Sequence, residues 1–180
     1  TALVTDSAGN PVPNITVQFR LRPAASNAYT KGRWIDDGMI WTDRNGNKVV
    51  DDGEVAPATT WVRVPSVVCQ NEDLDFNGIM GSTEDFNGNG MLTPGNVASV
   101  NGSAITDAAG IATATITYAK EYATWANVTL QAAVQVAGTE YTQAVDYALE
   151  ILVSDYSDLK IYPPGRLSPF GTASSCSNPG

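Results

Sequence analysis

The chain contains no histidine, which removes the imidazole base, the imidazole metal ligand and the usual switch near neutral pH. It is also poor in bases, with 10 Lys and Arg against 19 Asp and Glu and a net charge of -9 at pH 7. That balance repels nucleic-acid phosphates and anionic lipid, so neither is expected as a partner. No apolar run approaches the roughly 20 residues of a membrane span, so no membrane insertion is expected. No signal-peptide pattern opens the chain, as in a mature or excised portion of something larger. No nucleophile is paired with a base, and the adjacent Asp36 and Asp37 beside Trp34 do not by themselves make a glycosidase pair. The chain is therefore read as non-enzymatic, with no catalytic residues. Cysteine is scarce: Cys69 and Cys176 are either two free thiols or one disulfide closing a long loop. The disulfide is the reading taken here. It would tether a loose C-terminal tail, stabilise by roughly 4–5 kcal/mol in the chain-entropy model, and require an oxidising compartment.

What is present points to an all-β chain. Sixteen Gly and ten Pro supply turns, and a hydrophobic fraction of 43% is enough for a packed core. After a turn at Asp6–Pro11, residues Asn14–Leu21 alternate Ile15, Val17 and Phe19 with polar partners, the period-2 signature of a half-buried strand. Gly110–Tyr118, Ala126–Val136 and Thr139–Leu152 read as further strands, and short ones are expected at Gly38–Thr42 and Thr60–Val64. No long helix is expected. The tail from Ser154 to Gly180 is rich in Pro, Ser and Gly and reads as an extended segment or linker.

The middle of the chain carries the chemistry. Three segments place oxygen-bearing side chains at loop positions 1, 3 and 5, a backbone carbonyl at 7 and a ligand candidate at 12, the spacing of an EF-hand-type calcium loop. The first offers Asp43, Asn45, Asn47, the Val49 carbonyl, Asp51 and Glu54, with Lys48 where glycine is expected. The second offers Asp73, Asp75, Asn77, the Ile79 carbonyl and Glu84, with Gly78 at the sharp bend. The third follows without a gap: Asp85, Asn87, Asn89, the Met91 carbonyl and Asn96. Ca²⁺ takes six to eight oxygens at about 2.3–2.6 Å, and small Asp and Asn side chains on alternate residues of a tight loop can supply them. The first two loops are expected to bind Ca²⁺. The third has one carboxylate and binds a third ion more weakly, unless Glu84 or Glu72 is shared. Asx-turns on solvated loops share this composition, but three such segments within some fifty residues favour the cation. The expected role is stiffening, since no amphipathic helices flank the loops to move as a switch.

The ends of the chain resemble a known family. Ala2-Leu-Val-Thr-Asp6-Ser-Ala-Gly9-Asn-Pro11-Val, followed by Val17-Gln-Phe19, is similar to the opening turn and strand of bacterial Ig-like domains of the invasin/intimin type. Thr106-Asp-Ala-Ala-Gly110-Ile-Ala-Thr-Ala-Thr-Ile116 resembles that family's later D-x-x-G-x-A strand, and Asn127–Val136 and Gln143–Leu152 its closing strands. The resemblance covers 1–22 and 104–152. It implies an Ig-like β-sandwich over 1–153, used in tandem on bacterial surface proteins, with 23–103 as a calcium-loop insertion and 154–180 as the tail. It also implies that the family's first strand lies outside this sequence.

The function this implies is a calcium-stabilised structural or adhesive module, extracellular or on the bacterial cell surface. Its partners would be neighbouring domains, copies of itself, or a host or cell-surface protein or glycan. Two alternatives follow from other features. The vacant edge and extended tail suit a self-assembling fibre subunit that completes its sheet with a neighbour's tail. Trp34, Trp41, Trp61 and Trp125 could instead form the sugar platform of a carbohydrate-binding module in a secreted enzyme.

Overall fold

In a computed structural model, residues 1–36, 45–46, 60–136 and 138–180 are described. The expected strand Gly38–Thr42 and Trp41 lie outside them. The protein is all-β, and every pairing between named strands is antiparallel. The strands are β1 (Ala2–Leu3), β2 (Thr16–Pro23), β3 (Tyr29–Ile35), β4 (Val62–Cys69), β5 (Ala98–Val100), β6 (Ser103–Ile105), β7 (Ile111–Ala112), β8 (Ile116–Tyr118), β9 (Asn127–Val136) and β10 (Thr139–Ala148). The largest sheet has the order β10-β9-β2-β6, and β1-β7, β3-β4 and β5-β8 form separate pairs.

The alternation in β2 does what its pattern predicts. Val17 and Phe19 are buried while Thr16, Gln18 and Arg20 are exposed. These two side chains and Leu130, Ala132 and Val134 of β9 form one core cluster with Val4 and Ala112. Burying four or five such side chains stabilises by roughly 1.5–3 kcal/mol for each of the larger ones.

The two D-x-x-G turns have the same local structure. Asp6 Oδ1 accepts the backbone N–H groups of Ala8 and Asn10, and Asp107 Oδ1 those of Ala109 and Ile111. The turns also meet, because Val4 N–H donates to Gly110 O at 2.9 Å. Gly110 has φ +73, and a Cβ there would lie 2.6 Å from the Val4 carbonyl oxygen, so both conformation and space require glycine.

A second core gathers around Trp125, which is fully buried. Tyr29, Trp34, Trp61, Val128, Leu149 and Phe170 join it. The indole N–H donates to Gly165 O at 2.8 Å, and Trp34 meets the ring edge-on at 6.4 Å. Trp34, Trp61 and Trp125 are thus core residues and form no exposed platform.

The tail is docked on its own chain. Trp34 N–H donates to Arg166 O, Ser168 N–H to Gly32 O and Gly32 N–H to Gly171 O, so residues 166–171 pair with the edge of β3 that β4 leaves open. Cys69 and Cys176 form the disulfide, closing a separation of 107 residues, and the Lys31 ammonium donates to the Asn178 carbonyl. β3 has neighbours on both edges, and its four consecutive buried residues Tyr29–Gly32, Lys31 included, show that both of its faces are covered. That explains why its sequence, Tyr-Thr-Lys-Gly-Arg-Trp-Ile, shows no period-2 alternation. Gly110–Tyr118 divides into β7 and β8. The expected strand to Leu152 ends at Ala148, after which Leu149 turns into the core.

Candidate metal centre

Of the first predicted loop, only Asn45 is among the described residues; Asp43, Asn47, Val49, Asp51 and Glu54 lie outside them. The second and third loops, Asp73–Glu84 and Asp85–Asn96, are described in full.

Both loops are built by the same local rule: each side-chain oxygen accepts a backbone N–H a few residues ahead. Asp73 accepts from Asn77 (3.1 Å) and Gly78 (3.0 Å), one on each oxygen. Twelve residues on, Asp85 accepts from Asn89 (3.0 Å) and Gly90 (2.9 Å) in the same way. Asp75 and Asn87 occupy equivalent positions and accept from Asn77 and Asn89. Asn77 and Asn89 in turn accept from Ile79 (2.6 Å) and Met91 (2.8 Å). Gly78 and Gly90 take φ +73 and +77 at the bend, where a side chain would be strained. Oxygen-bearing side chains at positions 1, 3 and 5 are thereby turned to one side of each loop.

The two loops take their carboxylates from different places: one from its own twelfth residue, the other from the residue that precedes the pair. Glu84 belongs to the first of the pair: its oxygens accept the N–H groups of Leu74 (2.9 Å) and Gly81 (2.6 Å). In the second, the corresponding carboxylate is Glu72, which accepts from Asn87 (3.1 Å) and Thr93 (2.8 Å). Gly81 and Thr93 are the ninth residues of their loops, so each glutamate accepts the ninth-position N–H, while its other donor is the second residue, Leu74, in one loop and the third, Asn87, in the other. Asn96, expected at the twelfth position, is exposed and makes no hydrogen bond to Asp85, Asn87 or Asn89. Thr93 adds a hydroxyl that accepts from the side-chain amides of Asn87 (3.0 Å) and Asn89 (3.2 Å). The signal for Glu72 was the Glu-Asp pair that opens both loops, Glu72-Asp73 and Glu84-Asp85.

The donor set suits a hard cation. One carboxylate oxygen from each of Asp73, Asp75 and Glu84 lies within 4.8 Å of the others, a spacing compatible with a shared ion at about 2.3–2.6 Å from each. The donors are oxygen only, which suits Ca²⁺ better than zinc or copper. Asp75 and Asp73 have exposed or half-exposed side chains, whereas Glu84 is buried.

Glu72 ties this centre to the rest of the fold. It is fully buried, as are Lys31 and Tyr29 nearby. Burial pushes the Lys31 ammonium below its usual range, and the Glu72 charge opposes that shift. Burial, reinforced by the same carboxylate, pushes the Tyr29 phenol up. Glu72 N–H donates to Thr93 O at 2.9 Å, and Asn71 brackets Asp73 through its side-chain amide. The loops therefore begin at a carboxylate anchored beneath β3, three residues after the disulfide at Cys69.

Compared with family models, with curated proteins and with solved structures, the chain gives no significant match. Among the described residues no helix is long and apolar enough to cross a membrane.

Proposed function

We propose that this is a calcium-stabilised, non-enzymatic Ig-like module of a bacterial extracellular or cell-surface protein, with a structural or adhesive role. The observation that carries this reading is the pair of similarly built loops: Asp73, Asp75, Asn77 and Glu84 for one ion, and Asp85, Asn87, Asn89 and Glu72 for a second. Bound Ca²⁺ would neutralise the gathered carboxylates and hold the loops against the core. The disulfide supports an oxidising, extracellular setting. The Ig-like assignment draws on the two packed D-x-x-G turns and on the β2-β9-β10 order that follows them.

Isothermal titration of Ca²⁺ into chelator-treated protein tests the reading. Heat saturating at two ions or more, with a rise in melting temperature, is expected. An absence of both would end it.

A second reading, assembly through strand addition, is favoured by β10. Among the described residues this ten-residue strand pairs only with β9. Its Tyr141 and Val145 are 60% and 59% exposed, although they lie opposite Val134 and Leu130 on the face that β9 turns to the core. A neighbouring strand would cover them. The tail is not free to act as that strand without leaving β3. Sedimentation that finds only monomer at high concentration would count against assembly.

A further inference from the structure

We propose that the cleft between β4, the corner at Trp125 and the end of β10 binds a carboxylate-bearing ligand through the Arg63 guanidinium and the Thr124 hydroxyl. The cleft is broadly open to solvent, has a volume of about 680 Å³ and is lined by Asn27, Arg63, Val68, Thr124, Glu150 and Ile151 among others. Three independent features converge on it. Arg63 lies over the buried Trp125 ring, 4.6 Å from its centroid, with Nε buried and without a hydrogen-bond partner. Among the described residues the one ion pair is Lys120–Asp155, so no described carboxylate pairs with this guanidinium. Burial accordingly pushes Arg63 down from its usual range, with no opposing charge.

The Thr124 hydroxyl is likewise buried without a partner, giving the same cleft a second unused donor. Two of the four non-glycine residues with positive φ among the described residues also line it: Asn27 (φ 54) and Thr124 (φ 65). A β-branched residue rarely tolerates that conformation, and strain of this kind collects where a site holds side chains in place for a ligand. The planar fork of a guanidinium matches a carboxylate in a two-point contact. One such fork balances one negative charge. A phosphate dianion would leave excess charge beside Glu150, in a chain whose net charge is already -9. Val68 and Ile151 offer apolar walls for the carbon skeleton of the ligand.

The test is a titration of ¹⁵N-labelled, calcium-loaded protein with galacturonate and with N-acetyl-glutamate amide, each carrying one carboxylate, with galactose and N-acetyl-glutamine amide as neutral controls and inorganic phosphate as a third anion. At least one carboxylate probe should shift the Arg63 Nε–H and Trp125 Nε1–H resonances, and the neutral probes should not. The two probes distinguish an acidic glycan from an acidic peptide. Arg63→Gln should weaken binding at least tenfold, and Glu150→Gln should tighten it by lifting a repulsion. Thr124→Gly should also weaken binding while leaving the melting temperature unchanged or higher, which a purely structural threonine would not do; this arm stands if Arg63→Gln fails to fold. The proposal is overturned if neither carboxylate probe moves the Arg63 resonance. It is equally overturned if phosphate alone does so, or if the folded variants bind as the parent does.

Discussion

The paired loops from Glu72 to Thr93 and the core around Trp125 are neighbours built on opposite physical terms. In the loops, carboxylate and amide oxygens accept backbone N–H groups a few residues away, while Leu74, Ile79, Met80 and Met91 remain exposed. Around Trp125, aromatic and aliphatic side chains are buried together, and the contacts join segments far apart in the chain. The loops gather like charges that gain from a counter-ion, whereas the core is held by removing apolar surface from water. The two regions should therefore fail under different insults. Cation removal should act on the loops first, and truncation of a ring on the core.

The largest effect should come from Trp125→Ala, a loss of about 3–5 kcal/mol for a large ring deleted from a closed core. Urea unfolding reads this directly. Calcium affinity of the variant, measured where it is still folded, should change little, and a parallel collapse would show that the regions are not separable. Removing the disulfide with Cys69→Ala and Cys176→Ala should cost about 2–5 kcal/mol and make the tail sensitive to protease. Protease resistance at the tail would mean that the β3 pairing holds it without the bridge.

Glu72→Gln strikes where the regions join. The substituted amide would face its own N–H₂ toward the N–H of Asn87 or Thr93, leaving a buried donor unsatisfied at about 1–3 kcal/mol. It should also remove or weaken one calcium event in titration and leave the Asp73–Glu84 event in place, and Glu84→Gln should do the converse. Loss of both events in either variant would indicate one cooperative centre rather than two loops with separate acids.

The smallest effect lies in neither region. The Asn10 side-chain amide, with backbone N–H groups, holds the Asp6 carboxyl below its ordinary 3.8. A depressed acid contributes stability that is present above the unfolded-state value and lost as pH falls through the lower folded one. NMR titration should place the Asp6 midpoint below 3.8, and Asn10→Ala should bring it back up.

Legibility followed the range of the interaction. Val17 and Phe19, the D-x-x-G turns and the Asp-x-Asn-Gly bends lie within a few residues of the partners that shape them, and the sequence pattern places them correctly. β3 was not anticipated, because a strand buried on both faces has no polar face to alternate. The tail was expected as a loose or extended segment, since nothing in residues 166–171 advertises a partner more than a hundred residues earlier. Asn96 stood at the expected spacing of a closing ligand, yet the carboxylate hydrogen-bonded to that loop is Glu72, which the sequence offered only as an acid to be shared.

By itself the sequence determined the all-β class, the turn chemistry, the cysteine pair available for bridging and the oxygen-rich loops, because each rests on backbone geometry and side chains close along the chain. Only the tertiary structure decided which glutamate closes which loop, that the tail completes the edge of β3, and that the tryptophans are core. Those outcomes depend on which distant segments meet, and that is set by the burial of Trp125 and its neighbours rather than by any local pattern.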